Sequence, residues 1–243
     1  MSDEVDFGDE RVSPEEKTRR VGAVFSSVAR RYDLMNDLMS GGMHRLWKDR
    51  FVARLKPRPG EAILDMAGGT GDVAFRIADR GARVTVADIN PDMLEVGRQR
   101  AAERGLAGLD WRVENAESLS FDGDLFDAYT IAFGIRNVTD KAAALGEAHR
   151  VLKRGGRLFV LEFSSSDWPG FAQLYETYAS RLIPRIGKAV ANDEASYRYL
   201  VESIRRFPRP PAFQQMIASA GFIRTATEPM LGGLVCIWSG WKV

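Results

Sequence analysis

The sequence predicts an α/β protein built on a doubly wound, mostly parallel sheet. Three observations point there. The apolar run Ile63-Leu64-Asp65-Met66 leads directly into the glycine turn Ala67-Gly68-Gly69-Thr70-Gly71-Asp72 and then into a helical pattern. Strand-like runs alternate with helical stretches from Glu61 to about residue 163, the order that gives parallel strands joined by helical crossovers. Two further strand-like runs, about 222–228 and 234–241, flank Gly232-Gly233 and predict a closing antiparallel hairpin.

Taken in chain order, residues 1–20 hold seven acidic and four basic residues and almost no large apolar ones, so they are expected to form a disordered tail. Val21, Val24, Phe25 and Val28 fall at helical spacing, and a second helix is expected over about Trp47–Leu55, stopping at Pro57. Together 21–58 read as a helical cap. Strands are expected near 62–66, 83–87, 110–114, 127–133 and 157–163, with helices near 72–80, 91–104 and 141–153. Asn90-Pro91 marks the second of these helices, as an N-cap followed by proline at the first helical position. An insertion over about 164–211 carries the stripe Phe171, Leu174, Tyr175, Tyr178 and Leu182, then the breakers Pro184 and Gly187. Core packing accounts for most of that stripe; a lid over an apolar substrate is the alternative, because the insertion leaves a strand end where such sheets bind ligands. Residues 21–243 therefore read as one domain.

Composition narrows the classes. A chain of 243 residues with 45% hydrophobic content can bury one sizeable α/β core. Residues 19–58 set ten Lys/Arg against Asp33, Asp37 and Asp49, which predicts a local basic surface. The single Cys236 excludes an intrachain disulfide and lies in the apolar run Leu234–Trp238, as a buried inert thiol would. His44 and His149 lie far apart, so no metal site is expected. No apolar stretch reaches the ~18 residues of a membrane span, and the acidic N-terminus is no secretion signal. The expected location is cytoplasmic, with peripheral contact at the inner face of a membrane left open.

The glycine turn carries the chemistry. Residues without a Cβ let a nucleotide-like ligand approach the backbone. Gly69-Thr70-Gly71-Asp72-Val73-Ala74 fits the dinucleotide fingerprint formally, but a pyrophosphate would meet the flanking carboxylates Asp65 and Asp72. A sulfonium with an α-ammonium would be attracted, which favours S-adenosylmethionine over NAD. Asp88 ends the next strand, where a carboxylate can accept from both ribose hydroxyls of either cofactor. A ligand-free structural turn is the bland reading.

The segment Tyr32-Asp33-Leu34-Met35-Asn36-Asp37-Leu38-Met39-Ser40 running on to His44-Arg45-Leu46-Trp47 resembles the N-terminal signature of the ubiquinone/menaquinone-biosynthesis C-methyltransferases of the UbiE type. The Asp65–Asp72 loop, Phe133–Asp140, Arg150–Gly156 running on to Leu161–Ser164, and Asn192–Ile204 agree with it, so the likeness runs from about Val24 to the C-terminus. Arg154 departs from the family, which usually has proline before the paired glycines.

The resemblance implies the class I S-adenosylmethionine-dependent methyltransferase fold, Rossmann-like, and methylation of a ring carbon on a polyprenylated quinol: demethylmenaquinol, 2-polyprenyl-6-methoxy-1,4-benzoquinol, or both. Such a carbon attacks a methyl group only when a neighbouring hydroxyl is ionised, so the site must stabilise a phenolate and later remove a ring proton. Arg136 is the candidate phenolate stabiliser and Asn137 the candidate for orienting a quinol oxygen; a surface Arg with a turn Asn is the bland reading. His44, then Asp33, are the candidate bases. Gly68, Gly69, Thr70 and Gly71 are expected along the methionine portion, with Asp65 ordering the loop or the ammonium, Asp88 at the ribose, and Asn115 and Ala116 at the adenine. An isoprenoid tail implies delivery from a membrane or a quinone-biosynthesis complex. Other small aromatic acceptors, an NAD-dependent oxidoreductase and a non-catalytic scaffold are the alternatives. Methylation of RNA or protein has only the basic stretch in its favour; no aromatic platform for nucleic acid accompanies it, and no nucleic-acid partner is expected.

Overall fold

Burial on both faces decides the central strands. The computed structural model describes residues 4–29, 36–37, 40–106, 108–164 and 194–243. Its elements begin with β1 (Val5–Phe7), β2 (Glu10–Val12), α1 (Pro14–Val28) and α2 (His44–Leu55). The alternating part follows as β3 (Ala62–Met66), α3 (Asp72–Ala78), β4 (Arg83–Asp88), α4 (Pro91–Glu103), β5 (Asp110–Val113), β6 (Phe126–Ala132), α5 (Lys141–Val151) and β7 (Leu152–Phe163). The chain closes with α6 (Glu194–Arg206), α7 (Pro210–Ser219), β8 (Ile223–Met230) and β9 (Val235–Trp241).

Seven strands form one sheet in the order β5-β4-β3-β6-β7-β9-β8. The first five are mutually parallel, and β9 runs antiparallel to both β7 and β8. Successive side chains of a strand point to opposite faces, and here both faces are covered. Ile63 joins the cluster of Phe51, Leu55, Ile77, Val86 and Leu94, while Leu64 joins Tyr129, Leu145, Val160, Phe213 and Trp238 on the other side. This double burial is why β3 reads as a continuous apolar run rather than an alternation. Cys236 is fully buried in the second cluster, as expected.

Local chemistry sets the helix starts. Asn90 caps α4 by accepting from the Asp92 and Met93 amides, with Pro91 opening the helix, as the sequence predicted. Ser13 caps α1 by accepting from the Glu16 amide, with Pro14 next. Helix α1 therefore starts seven residues before the Val21 at which the apolar spacing begins.

Over residues 4–20 the expected disorder is corrected by that helix and by the antiparallel β1–β2 pair. The segment is ordered through distant partners. Phe7 stacks on Tyr199 with ring centroids 4.3 Å apart, Arg206 pairs with Asp6 and Asp9, and the Asp9 amide donates to Glu202. A second boundary also moves: α5 stops at Val151, because Leu152 already pairs with Phe126 in the sheet. Residues 171–187 of the proposed lid and the stripe within it lie outside the described residues.

Among the described residues, six of the eight cations of the basic surface expected over 19–58 are ion-paired. Glu16 binds Arg19 and Arg20, Asp37 binds Arg45, Asp72 binds Lys48, and Glu228 binds Arg50 and Arg54. Helix α1 turns Val21 and Val24 into the core and is tied to α4 by Ser26 on Asp92 and Asn90 on the Gly22 carbonyl. Its apolar face is a packing face. Among the described residues no helix is long and apolar enough to cross a membrane.

Candidate active site

Strand β3 has β4 on one side and β6 on the other. The chain order reverses at that point, and the C-terminal ends of β3 and β6 part to leave a crevice. The residues just past both strands, Ala67 at φ 52° and Phe133 at φ 57°, adopt the left-handed conformation that non-glycine residues rarely take. Such conformations persist only where the surroundings impose them, and they gather at functional sites. Ala67 and Phe133 line one cleft together with Met66, Gly69, Asp88, Asn115, Ala116, Gly134 and Asn137. Thr18, Val21, Gly22 and Phe25 of α1 close its far side, a contribution that the spacing of Val21 and Phe25 did not disclose.

Asp65 ends in a second, smaller cavity with Gly68, Thr70, Lys48 and Asp72. One carboxylate oxygen accepts from Thr130 Oγ1 at 2.7 Å. The other, Oδ2, is buried without a hydrogen-bond partner. Burial pushes the Asp65 carboxyl up to about 7, against the pull of Thr130, the Lys48 charge and the nearby Ala74 amide, which falls short of a formed hydrogen bond to Oδ2. Asp88 accepts from the Gly69 amide and the Asn90 amide, both at 2.9 Å; burial still raises it to about 6.

Asp72 behaves otherwise. Burial would raise it, but Lys48 at 2.7 Å and Arg76 hold it down at about 2. It is a neutralised partner, so the acidic bracket expected around the glycines reduces to Asp65, with Asp88 across the loop. Gly71 also changes role. At φ 83° it caps α3, and a Cβ there would come within 2.8 Å of Phe75 and Trp111; it shapes the turn and lines neither cavity. Gly69, at φ 53°, does line the cleft. The Thr70 hydroxyl accepts from Arg100. Asn115 lines the cleft while its side chain holds the Glu117 amide, so the cleft and turn readings are both satisfied.

The substrate-side candidates divide. Asn137 faces the cleft, its Oδ1 accepting from the Tyr199 hydroxyl at 3.2 Å. Arg136 does not line that cleft. Its guanidinium is buried on Glu162 at 2.8 Å and on the Phe133 carbonyl at 2.6 Å. Its charge is paired with Glu162, and its position ties down the Ile135–Asn137 turn rather than the cleft wall, where a phenolate stabiliser was expected. His44 is buried at the start of α2 with Nε2 on Asp37 at 2.9 Å, and burial, aided by Lys48, lowers its pKa. It lines neither cavity. Asp33 lies outside the described residues. Sequence reasoning missed Tyr199, for which the only signal was its place in the Asn192–Ile204 signature.

Comparison with known proteins follows the same lines. The model of the ubiE/COQ5 methyltransferase family matches residues 13–242. The ubiquinone/menaquinone biosynthesis C-methyltransferase UbiE of Zymomonas mobilis is 61% identical over 241 residues, covering 99% of this chain and all of that protein. The mitochondrial 2-methoxy-6-polyprenyl-1,4-benzoquinol methylase of Oryza sativa is 52% identical over 258 residues, covering 98% of this chain and 88% of that one. Among solved structures, a Thermotoga maritima protein described as a possible histamine N-methyltransferase has a TM-score of 0.65 at 19% identity, with 91% of this chain and 99% of that chain covered. It supports the fold alone.

The Arg136–Glu162 pair makes a stability prediction. Arg136→Ala strands a carboxylate in the core, which costs about 3–5 kcal/mol. We expect a melting temperature lower by roughly 6–20 °C. Wild-type melting of this variant, with a selective loss of rate, would return the guanidinium to the chemistry.

Proposed function

The chain belongs to the ubiE/COQ5 methyltransferase family, and from that premise we propose that it methylates a ring carbon of a polyprenylated quinol, with S-adenosylmethionine as methyl donor, in menaquinone or ubiquinone biosynthesis. The observation that carries the donor assignment is the unpartnered, buried Asp65 Oδ2 beside the glycine turn. A buried acceptor without a donor costs free energy until a ligand supplies one, and an α-ammonium is such a donor. Asp88 at the cleft wall suits ribose hydroxyls, and Asn115 with Ala116 suits an adenine edge. A dinucleotide would set its pyrophosphate against Asp65 and Asp88, which opposes it. The residues present fit S-adenosylmethionine.

S-adenosylmethionine, when bound, supplies an electrophilic methyl group on a sulfonium. The chain's task is to hold an ionised quinol against it and keep water away. Phe25, Val21 and Phe133 give the cleft apolar walls. Asn137 supplies a donor: with Oδ1 taken by Tyr199, its Nδ2 is left for a quinol oxygen. Tyr199 acts through Asn137 by fixing the amide orientation. The isoprenoid tail implies substrate drawn from a bilayer or from a quinone-biosynthesis complex. Because the cations of 19–58 are mostly paired and α1 is packed, we attribute any peripheral membrane contact to the substrate's tail rather than to a basic patch.

Transfer of labelled methyl to a short-tailed demethylmenaquinol and to the corresponding methoxybenzoquinol, both kept reduced, tests the function; absence of transfer to either would overturn it. Two variants test the site. Asp88→Ala should weaken S-adenosylmethionine binding by about 1.5–3 kcal/mol, read by calorimetry, and unchanged affinity would remove Asp88 from the site. Asn137→Ala should lower single-turnover methyl transfer on the order of 100-fold, the cost of one preorganised donor, with donor affinity nearly intact. A normal rate would end its assignment.

A further inference from the structure

A second chamber, of about 300 Å³, lies beside the donor cleft and shares Thr139 with it. It lies under the β1–β2 hairpin, and Lys17, Arg136, Lys141 and Tyr199 face it. Lys17 is the anomaly. It is 5% exposed, yet among the described residues no hydrogen bond or ion pair holds its ammonium. Its stem is buried while its ammonium opens on the chamber, where an anion would pair with it.

The nearby carboxylates are otherwise engaged. Glu4 is on Arg11 and Asp6 on Arg206. Glu162 is on Arg136. Glu117 takes the Thr139 and Asp140 amides, and Asp140 itself caps α5 through the Ala143 amide. Glu117 and Asp6 reach Lys17 only as distant charges. Lys141 spends one ammonium proton on the Val138 carbonyl at 2.9 Å. Burial lowers both lysines, and the Lys17 charge helps bring Lys141 down to about 8. Two like charges thus meet across a polar space from α1 and from the first residue of α5, the helix end that favours an anion.

We propose that this chamber is a binding site for a small oxyanion of the phosphate class, held by the Lys17 ammonium together with Lys141. An oxyanion spreads its acceptor oxygens across a chamber of this size and so spans donors set apart on its walls, a reach that a single spherical chloride lacks. The site is independent of methyl transfer. It joins α1, α5 and the Ile135–Asn137 turn through one counter-charge, and α1 and that turn also border the donor cleft.

The test is inorganic phosphate titrated into the full chain at constant ionic strength, with sodium chloride as balance, followed by melting temperature and calorimetry. Saturable binding should raise the melting temperature by about 5 °C or more at a hundredfold excess over Kd. Lys17→Met keeps most of the buried stem and removes the charge. It should melt higher than wild type without phosphate and bind phosphate at least tenfold more weakly; Lys141→Met should weaken it likewise. No saturable binding, equal binding by both variants, or a Lys17→Met protein that melts lower without phosphate would each overturn the proposal. Because binding alone is read, failure here leaves the methyl-transfer assignment untouched, and failure of methyl transfer leaves this one untouched.

Discussion

The proposed donor site turns on one carboxylate oxygen that lacks a hydrogen-bond partner at the end of the central strand. Asp65 sits where the strand order reverses, fixed through its other oxygen to Thr130 on the neighbouring strand. Its backbone register is set by parallel pairing on both sides, which fixes where the carboxyl emerges at the crevice. Burial then holds the carboxyl near neutrality. Beneath it, Lys48 and Asp72 neutralise each other. The result is a pocket that is poorly disposed to anions and incomplete without a cation.

The surrounding structure keeps that pocket defined. Left-handed Ala67 and Phe133 turn the two strand ends apart, and Asp88 ties the glycine turn to β4 through the Gly69 amide. The Arg136–Glu162 pair does the corresponding work past β6. There a charge that sequence alone assigned to the substrate instead holds the turn carrying Asn137. Helix α1 supplies a wall of the cleft as well as core residues. The cleft is thus built from the sheet and its turns, with α1 added as its far wall.

That division also explains what the sequence disclosed. Local signals were sufficient for the sheet: the apolar run of β3, the Asn90-Pro91 cap and the Gly232-Gly233 break all mark elements where the structure has them. That Asp65, Gly69, Asp88, Asn115, Ala116 and Asn137 would gather at the crevice was legible because each lies at or just past the end of a strand that faces it. What failed depended on partners far along the chain. The hairpin at 5–12 is ordered by Tyr199, Glu202 and Arg206. The cations of 19–58 are paired with carboxylates as distant as Glu228. Nothing near Arg136 in sequence announced Glu162, and nothing near Lys17 announced Lys141.

The most direct measurement is the proton balance of S-adenosylmethionine binding. If the donor's ammonium docks on Asp65, it favours the ionised carboxylate and lowers a pKa that burial holds at about 7 in the free protein. Calorimetry in buffers of different ionisation enthalpy at pH 6.5 should then show net proton release, with affinity falling as pH drops below 7. Asp65→Asn should bind more weakly and without that release. Binding that releases no proton at pH 6.5, or an Asn variant with the wild-type pH profile, would contradict the account.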